Sequence, residues 1–383
     1  MTTIIRAHGA QDFLALVPHL TGFQPTQSVV LVAFRGNRTC GALRCDLPGP
    51  GATAGVRRRA ATTMIGMICR IPDVDALVPV VYTDDTFTAG DGMPHRAVVR
   101  TILSRARDSG FLVRDALCVA ADAWGSYLDE DCPPRGRPLG LITGSPARRT
   151  LANSTEHVDL VDIDAEATLP TADLETRERT TKRYTELDAL RGSPELGPSL
   201  LFDHGFSGDV VDFAELLIRD RDDVPPSEAA LLAFLVQGPC LRDEVLLTWA
   251  WGPGFGVSVG EMNDRHSRGE DISTLPGAMA LGGFGMPRPD PGRLRSAIRV
   301  LRYTAARVPR RAQPPLLTML GWSHWALGAG TLGGRWVDQA LAIDPEYGLA
   351  ELLDGMLLAG RLPDWAWEVP PDATNGTAID DGR

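Results

Sequence analysis

An α/β domain with a mixed sheet and flanking helices, followed by an all-α domain with repeat-like helical hairpins, is the fold class this sequence predicts. Three observations predict it. Over the first 150 residues, apolar runs of strand length alternate with helical patterns, the arrangement that gives a partly parallel, buried sheet. Residues 146–207 then turn acidic and rich in Thr and Pro. Beyond residue 208 one helical stretch follows another, separated by Gly and Pro breaks. The predicted domains are therefore 1–145 (α/β), 146–207 (acidic connector), 208–368 (helical) and 369–383 (a polar, disordered tail).

Each element has its own warrant. Residues 10–20 read as a short helix, closed by Thr21-Gly22-Phe23-Gln24-Pro25. Residues 28–34 are a β-branched apolar run, Gly36-Asn37 is a turn, and residues 39–47 resume extended structure, so a hairpin is predicted. Alanine-rich residues 53–70 suit a helix, 76–82 a buried strand, 94–109 a helix and 112–120 a strand. Pro79 inside the 76–82 run points to an edge strand or a bulge, because proline donates no ladder hydrogen bond. The connector holds a predicted helix at 172–191, and further helices are predicted at 209–220, 226–237, 242–251, 291–307, 315–327, 334–343 and 348–358. Glycine-rich residues 252–289 read as one long loop.

Composition excludes several chemistries. The 383 residues carry 38 Lys+Arg and 49 Asp+Glu, so the net charge is 38 − 49 = −11. Lys182 is the sole lysine. No Gly-Lys pair exists to end a phosphate-cradling loop, and a Schiff base would have to use Lys182, which stands in a polar stretch. The acidic balance argues against general binding to nucleic acid or to an anionic membrane. Six cysteines, at 40, 45, 69, 118, 132 and 240, form no Cys-x-x-Cys pair, and the seven histidines show no metal-ligand spacing. No metal or cofactor is expected. The start Met1-Thr2-Thr3-Ile4-Ile5-Arg6 lacks a basic region followed by an apolar run, and uncharged residues 316–334 suit a buried helical pair better than a membrane span. A cytoplasmic protein with reduced thiols and no membrane contact is expected; oligomeric state is left open.

Several residue patterns carry chemistry. Residues 317–345 fit one unit of the tetratricopeptide pattern: Leu317, Leu320, Gly321, Gly333, Val337 and Ala340 fall at its positions before the closing Pro345, with His324 in a slot that usually holds an aromatic. Glycine and alanine there let two helices approach closely. The predicted helix at 291–307 has an apolar stripe and, on another face, an arginine stripe at Arg295, Arg299 and Arg302, flanked by Arg288, Arg293, Arg307, Arg310 and Arg311. It reads either as a surface for an anionic partner or as a solvated face balanced by acids such as Glu346, Glu351 and Asp354. Only Tyr303 accompanies the arginines for base stacking, so a protein partner is expected and nucleic acid is not. Gly256-Val257-Ser258-Val259-Gly260 matches a nucleophile elbow, but structure-breaking residues precede it where a buried strand is required. No dinucleotide fingerprint is present.

A ligand pocket in the α/β domain would lie beyond the strand ends. Candidates there are Arg44 and Asp46, then Asp84 and Asp85 beside Thr83, then Trp124 and Tyr127 beside Asp122. An Asp after a strand also serves simply to cap a helix.

Gly22-Phe23-Gln24-Pro25-Thr26-Gln27-Ser28, Leu43-Arg44-Cys45-Asp46-Leu47-Pro48, and Trp124-Gly125-Ser126-Tyr127 with Cys132-Pro133-Pro134-Arg135-Gly136 together resemble the motifs of the actinobacterial family called domain of unknown function 4192. The likeness returns at Ala340-Leu341-Ala342-Ile343-Asp344-Pro345, whereas residues 252–289 do not align with it. The resemblance implies a lineage and a cytosolic setting, adds Ser28 to the candidate ligand residues, and implies no activity. Two readings of function follow. The first is a non-catalytic binding or adaptor protein whose helical domain meets a partner. The other is a small-molecule enzyme or ligand-binding protein, with Arg44 clamping an anion and Asp46, Asp84 or Asp85 moving a proton or holding a metal.

Overall fold

In the computed structural model, which describes residues 7–49, 51–88, 92–152, 160, 162–191, 206, 208–219 and 223–367, the first helix is α1 (Ala10–Thr21). Gly22 closes it in the left-handed conformation at φ 80°, where glycine carries no steric cost. Strands β1 (Ser28–Arg35) and β2 (Arg38–Asp46) form the expected antiparallel hairpin. Helix α2 (Ala54–Ile68) starts at Thr53, whose side chain accepts from the Val56 amide, and leads to β3 (Ala76–Tyr82). Then come α3 (Arg96–Asp108), β4 (Leu112–Val113), β5 (Leu117–Val119), β6 (Trp124–Ser126) and two short helices, α4 (Gly140–Thr143) and α5 (Pro146–Ala152).

The strands make one mixed sheet of order β2-β1-β3-β5-β6, with β4 also paired to β3. β3 runs antiparallel to β1 and parallel to β4 and β5. It is central, so the expectation that Pro79 marks an edge or a bulge is corrected. Leu77 O accepts from Arg114 N and Thr83 N donates to Val119 O, so by alternation the Pro79 nitrogen also points toward the β4/β5 side. There the partner is interrupted between Val113 and Leu117, and a missing N–H costs no ladder bond. The same interruption corrects the single strand expected at 112–120. At the break, Asp115 Oδ1 accepts from the Ala116 amide and from Ser126 Oγ, both at short distance (2.7 and 2.5 Å).

Strand alternation divides the apolar residues between two cores. Val29, Leu31, Leu77 and Val81 face α2 and α3, where they meet Met64, Ile68, Val99 and Ile102. Val30, Val32, Phe34 and Val80 face α1, where they meet Phe13, Leu14 and Val17, with Ile142 and Leu151 from α4 and α5. Buried Asp12 on α1 accepts from the Ala147 amide and so ties α5 to this face.

By their contacts the residues fall into two compact units, Met1–Asp162 and Ile163–Glu368. The second contains α6 (Ile163–Glu166), α7 (Leu174–Ala189), α8 (Val210–Ile218), α9 (Pro226–Leu235), α10 (Pro239–Trp251), α11 (Pro253–Ser267), α12 (Pro276–Ala280), α13 (Pro291–Ala305), α14 (Gln313–Ala326), α15 (Gly330–Leu341) and α16 (Gly348–Leu358). They surround one continuous core that runs from Ala167 to Trp365. The hairpin of α14 and α15 closes on a glycine contact: a Cβ on Gly333 would stand 2.8 Å from Gly321 O, and one on Gly321 2.7 Å from Val337 Cγ2. The predicted tail at 369–383 and most of the connector on either side of α6 and α7 lie outside the described residues.

The loop expected at 252–289 is corrected to helices α11 and α12 and the turns around them. Four of its glycines, Gly256, Gly277, Gly282 and Gly283, stand where a Cβ would meet a neighbour closer than 3 Å. Gly256 sits where a Cβ would overlap Thr248 Oγ1, and a Cβ on Gly283 would lie 2.7 Å from both Pro363 and Trp325. The segment covers a cluster of tryptophans, Trp251, Trp322, Trp325 and Trp365, with ring centroids 5.5 to 6.3 Å apart. It supplies Pro287 O and Leu281 O as acceptors for the Trp251 and Trp322 indole N–H groups, so large rings are buried with their polar atoms satisfied. Ser258 lies within α11 and donates to Gly254 O, so the nucleophile-elbow geometry is absent. No helix among the described residues is long and apolar enough to cross a membrane.

Candidate functional site

The candidate residues fall in both units, and in the α/β unit they are divided between the two faces of the sheet. In the α/β unit the register of the sheet sets Asp46, Ser28, Tyr82, Val119 and Trp124 in one cross-strand row, from β2 to β6. All of these side chains belong to the α1 face. Asp46 at the end of the row is exposed and pairs with Arg44 at 2.6 Å, while Arg44 also donates to Thr26 O at 3.4 Å. Ser28 Oγ, Tyr82 OH and Arg44 Nε are buried without a hydrogen-bond partner. Trp124 donates to Pro138 O and stacks under Arg137.

Thr83, Asp85 and Tyr127 belong to the opposite face. Here the structure adds a residue that the sequence gave no reason to single out. His95, just before α3 and in the left-handed conformation (φ 56°), is 8% exposed at its side chain. Its Nε2 lies 3.1 Å from Thr83 Oγ1 and 3.0 Å from Asp85 Oδ2. Burial lowers the imidazole pKa, and the Asp85 charge opposes that shift. Gln27, also left-handed (φ 41°), accepts from the Asp84 amide, whereas the Asp84 carboxylate points into an exposed position. Strained backbone at two adjoining positions is a mark of functional sites, though also of tight loops.

The chemistry available to this group is limited by its geometry. A nucleophile, histidine and carboxylate relay sets its two partners on opposite ring nitrogens. Thr83 and Asp85 share one nitrogen, so Asp85 cannot pass charge through the ring to Thr83. Asp122 is spent on the loop, accepting from the Phe87 amide and from Thr88 Oγ1, and these bonds lower its pKa. A cleft of about 230 Å³ adjoins this face, lined by Met93, Arg96, Tyr127 and Cys132 among others. Tyr127 donates to Pro94 O at 2.6 Å and is held neutral by burial, and burial pushes the neighbouring Cys118 thiol up to about 12. Of the strand-end candidates, Tyr127 alone lines this cleft; Ser28, Arg44, Asp46 and Trp124 lie across the sheet from it.

In the helical unit the arginines of α13 diverge in role. Arg293 forms a bidentate pair with Glu215, and Arg311 reaches Asp188 at 3.4 Å. Arg307 lies over the Tyr303 ring at 3.3 Å. Arg302 grips a different part of the chain: it pairs with Glu166 at 2.6 Å and donates to Thr168 O at 2.9 Å. From α15, Gln339 donates to Ala167 O at 2.8 Å and Arg335 reaches Asp164 at 3.5 Å. The neutralising acids are thus Glu215, Glu166 and Asp188, which corrects the expectation of Glu346, Glu351 and Asp354. Arg295 and Arg299 remain exposed and have no acidic partner among the described residues; Arg299 donates to Ser296 Oγ. His324 on α14 is buried, its Nε2 has no partner, and burial, reinforced by the Arg302 charge, lowers its pKa to about 4.

The chain matches the family model described as a domain of unknown function (DUF4192) over residues 11–253 and 291–364, and it belongs to that family. The match passes over 254–290, the segment that covers the tryptophan cluster. No curated protein and no solved structure matches the chain.

Proposed function

We propose that this member of the DUF4192 family is a non-catalytic binding protein that meets a protein partner through its helical unit. The observation that carries the reading is the grip of α13 and α15 on residues 164–168. Side chains there hold a main-chain segment by its carbonyls and its acids. Arg295 and Arg299 extend the same helix as exposed cations, available to steer an acidic protein surface. Nucleic acid fits less well, because Arg293, Arg302, Arg307 and Arg311 are committed to internal acids or rings and no aromatic row accompanies the arginines.

Affinity capture tests this. Wild type, an Arg295→Glu/Arg299→Glu variant and an Asp85→Asn/Tyr127→Phe variant are used as baits in the native lysate. A protein recovered in stoichiometric amount by the first and third baits and lost with the second supports the reading; loss with the third alone contradicts it. A second reading, small-ligand binding by the α/β unit, draws on the buried, unpartnered Ser28 and Tyr82 hydroxyls on neighbouring strands. Native mass spectrometry of the purified chain tests it. A bound small molecule that disappears in Tyr82→Phe supports it, and an unliganded mass counts against it.

A further inference from the structure

The acidic segment 164–168 puts Ala167 into the core, flanked there by Ile163 and Leu169, and makes its other attachments as polar contacts of the kind a ligand makes. Its helix α6 has four residues, too short to hold itself together, and Asp164 is largely exposed. Four polar ties are made to side chains of α13 and α15. Arg302 holds the Glu166 carboxylate and the Thr168 carbonyl, Gln339 the Ala167 carbonyl, and Arg335 the Asp164 carboxylate. Two successive carbonyls and two acids are thus read by three side chains from two helices.

The three helices behind the segment also carry polar atoms with no partner: Arg302 Nε on α13, His324 Nε2 on α14 and Trp336 Nε1 on α15 are all buried and unpaired. Buried polar groups left unpaired are costly, and a ligand that paired with any of them would bind in preference to the segment that leaves them idle. The segment holds its place through its tether, since a covalently attached peptide is present at an effective concentration in the millimolar range.

We infer that the face formed by α13 and α15 is a peptide-binding groove for acidic segments, and that the chain's own Asp164–Thr168 occupies it as an intramolecular stand-in that a partner peptide displaces. This rests on the adaptor reading and names the partner's chemistry: a short stretch with two carboxylates two residues apart, followed by main-chain carbonyls free to accept. Competition by the tethered segment makes the groove selective, because a partner must bring more than the segment already supplies.

The probe is a fluorescein-labelled synthetic peptide of residues 162–172, titrated into the full chain and followed by anisotropy. The opened variant, Asp164→Ala/Glu166→Ala, is expected to bind at least tenfold tighter than wild type. Adding Arg302→Glu to it should abolish binding, and a peptide carrying Glu166→Arg should recover binding to the Arg302→Glu chain; circular dichroism matching wild type shows that each variant is folded. Equal binding by wild type and the opened variant, no binding by the opened variant, or binding indifferent to Arg302 would overturn the inference. The adaptor reading fails separately. If neither wild type nor the opened variant captures a partner, the reading itself falls; if both capture the same partner equally well, only the displacement model does.

Discussion

The two units use their polar side chains in opposite ways. In the α/β unit, three carboxylates near the strand ends fix the loops, Asp122 holding Phe87 and Thr88, Asp115 holding Ala116 and Ser126, and Asp85 holding His95, while the Ser28 and Tyr82 hydroxyls are buried without a partner. In the helical unit, arginines and an amide reach outward from packed helices to hold a peripheral segment, and two further arginines face solvent. Groups that satisfy one another inside a fold have little left to offer a ligand, whereas donors presented by a rigid framework are prepared for one. A list of polar residues near strand ends therefore says less about function than a record of what each already binds.

The largest expected effect tests whether the units are separate in stability as well as in structure. Trp365→Ala removes a ring packed against Trp251 and Trp325 and should cost the helical unit about 3–5 kcal/mol. Hydrogen exchange should then rise across 163–367 and stay unchanged in β1 and β3. Equal loss in both units would show one cooperative fold and erase the contrast.

Next is pH. His324 has a folded pKa of about 4 against an ordinary 6.5, so between those values the unfolded chain binds a proton that the native state refuses. Stability should therefore fall as pH drops from 6.5 to 4, by an amount on the order of 3 kcal/mol. Glu244 acts with the opposite sign: burial, with Asp209 nearby, raises its pKa to about 7, so its contribution is complete below 4.5 and is lost as pH rises through 7. Solvent screening reduces that contribution to about 1 kcal/mol. Denaturant melts at pH 4.5, 6.5 and 8 should show stability rising from 4.5 to 6.5 and changing little beyond. His324→Leu should flatten that rise and Glu244→Gln should steepen it, and an unchanged rise in His324→Leu would rule out the assignment.

Smaller still, Tyr82→Phe removes a buried hydroxyl without a partner. It should raise stability by up to about 1 kcal/mol. A loss of similar size would mean that the hydroxyl is in use and would favour a ligand site in the α/β unit. Smallest is Arg295→Glu/Arg299→Glu, expected to shift the melting midpoint by less than about 0.5 kcal/mol, since exposed charges contribute little; a large loss would make these arginines structural and remove them as a partner surface.

How far the sequence could be read follows from the same physics. The run from Ala76 to Tyr82 matched a strand residue for residue, because an apolar β-branched run buried on both faces has no other use. The hairpin before it was legible from its turn residues, and the helix expected at 172–191 is found at Leu174–Ala189, where Asp173 caps it. Pro79 misled because its cost depends on where the neighbouring strand breaks, which is a tertiary fact. Residues 252–289 misled because glycine count was taken for flexibility, whereas Gly256 and Gly283 are needed for close packing. Among site residues, the arginine stripe was visible as periodicity. Its partners were not: Glu166 lies 136 residues from Arg302, and His95 meets Asp85 only through the loop that joins β3 to α3.

The account stands most directly on where a partner touches the chain. With a single lysine, ordinary amine cross-linking reports little, so a photo-reactive phenylalanine analogue placed in turn at Arg299 and at Tyr127 gives the cleaner measurement. After irradiation of the native lysate, a discrete cross-linked protein from position 299 and none from position 127 is the predicted result. A discrete product from position 127 alone would contradict the account and move the partner surface to the α/β unit.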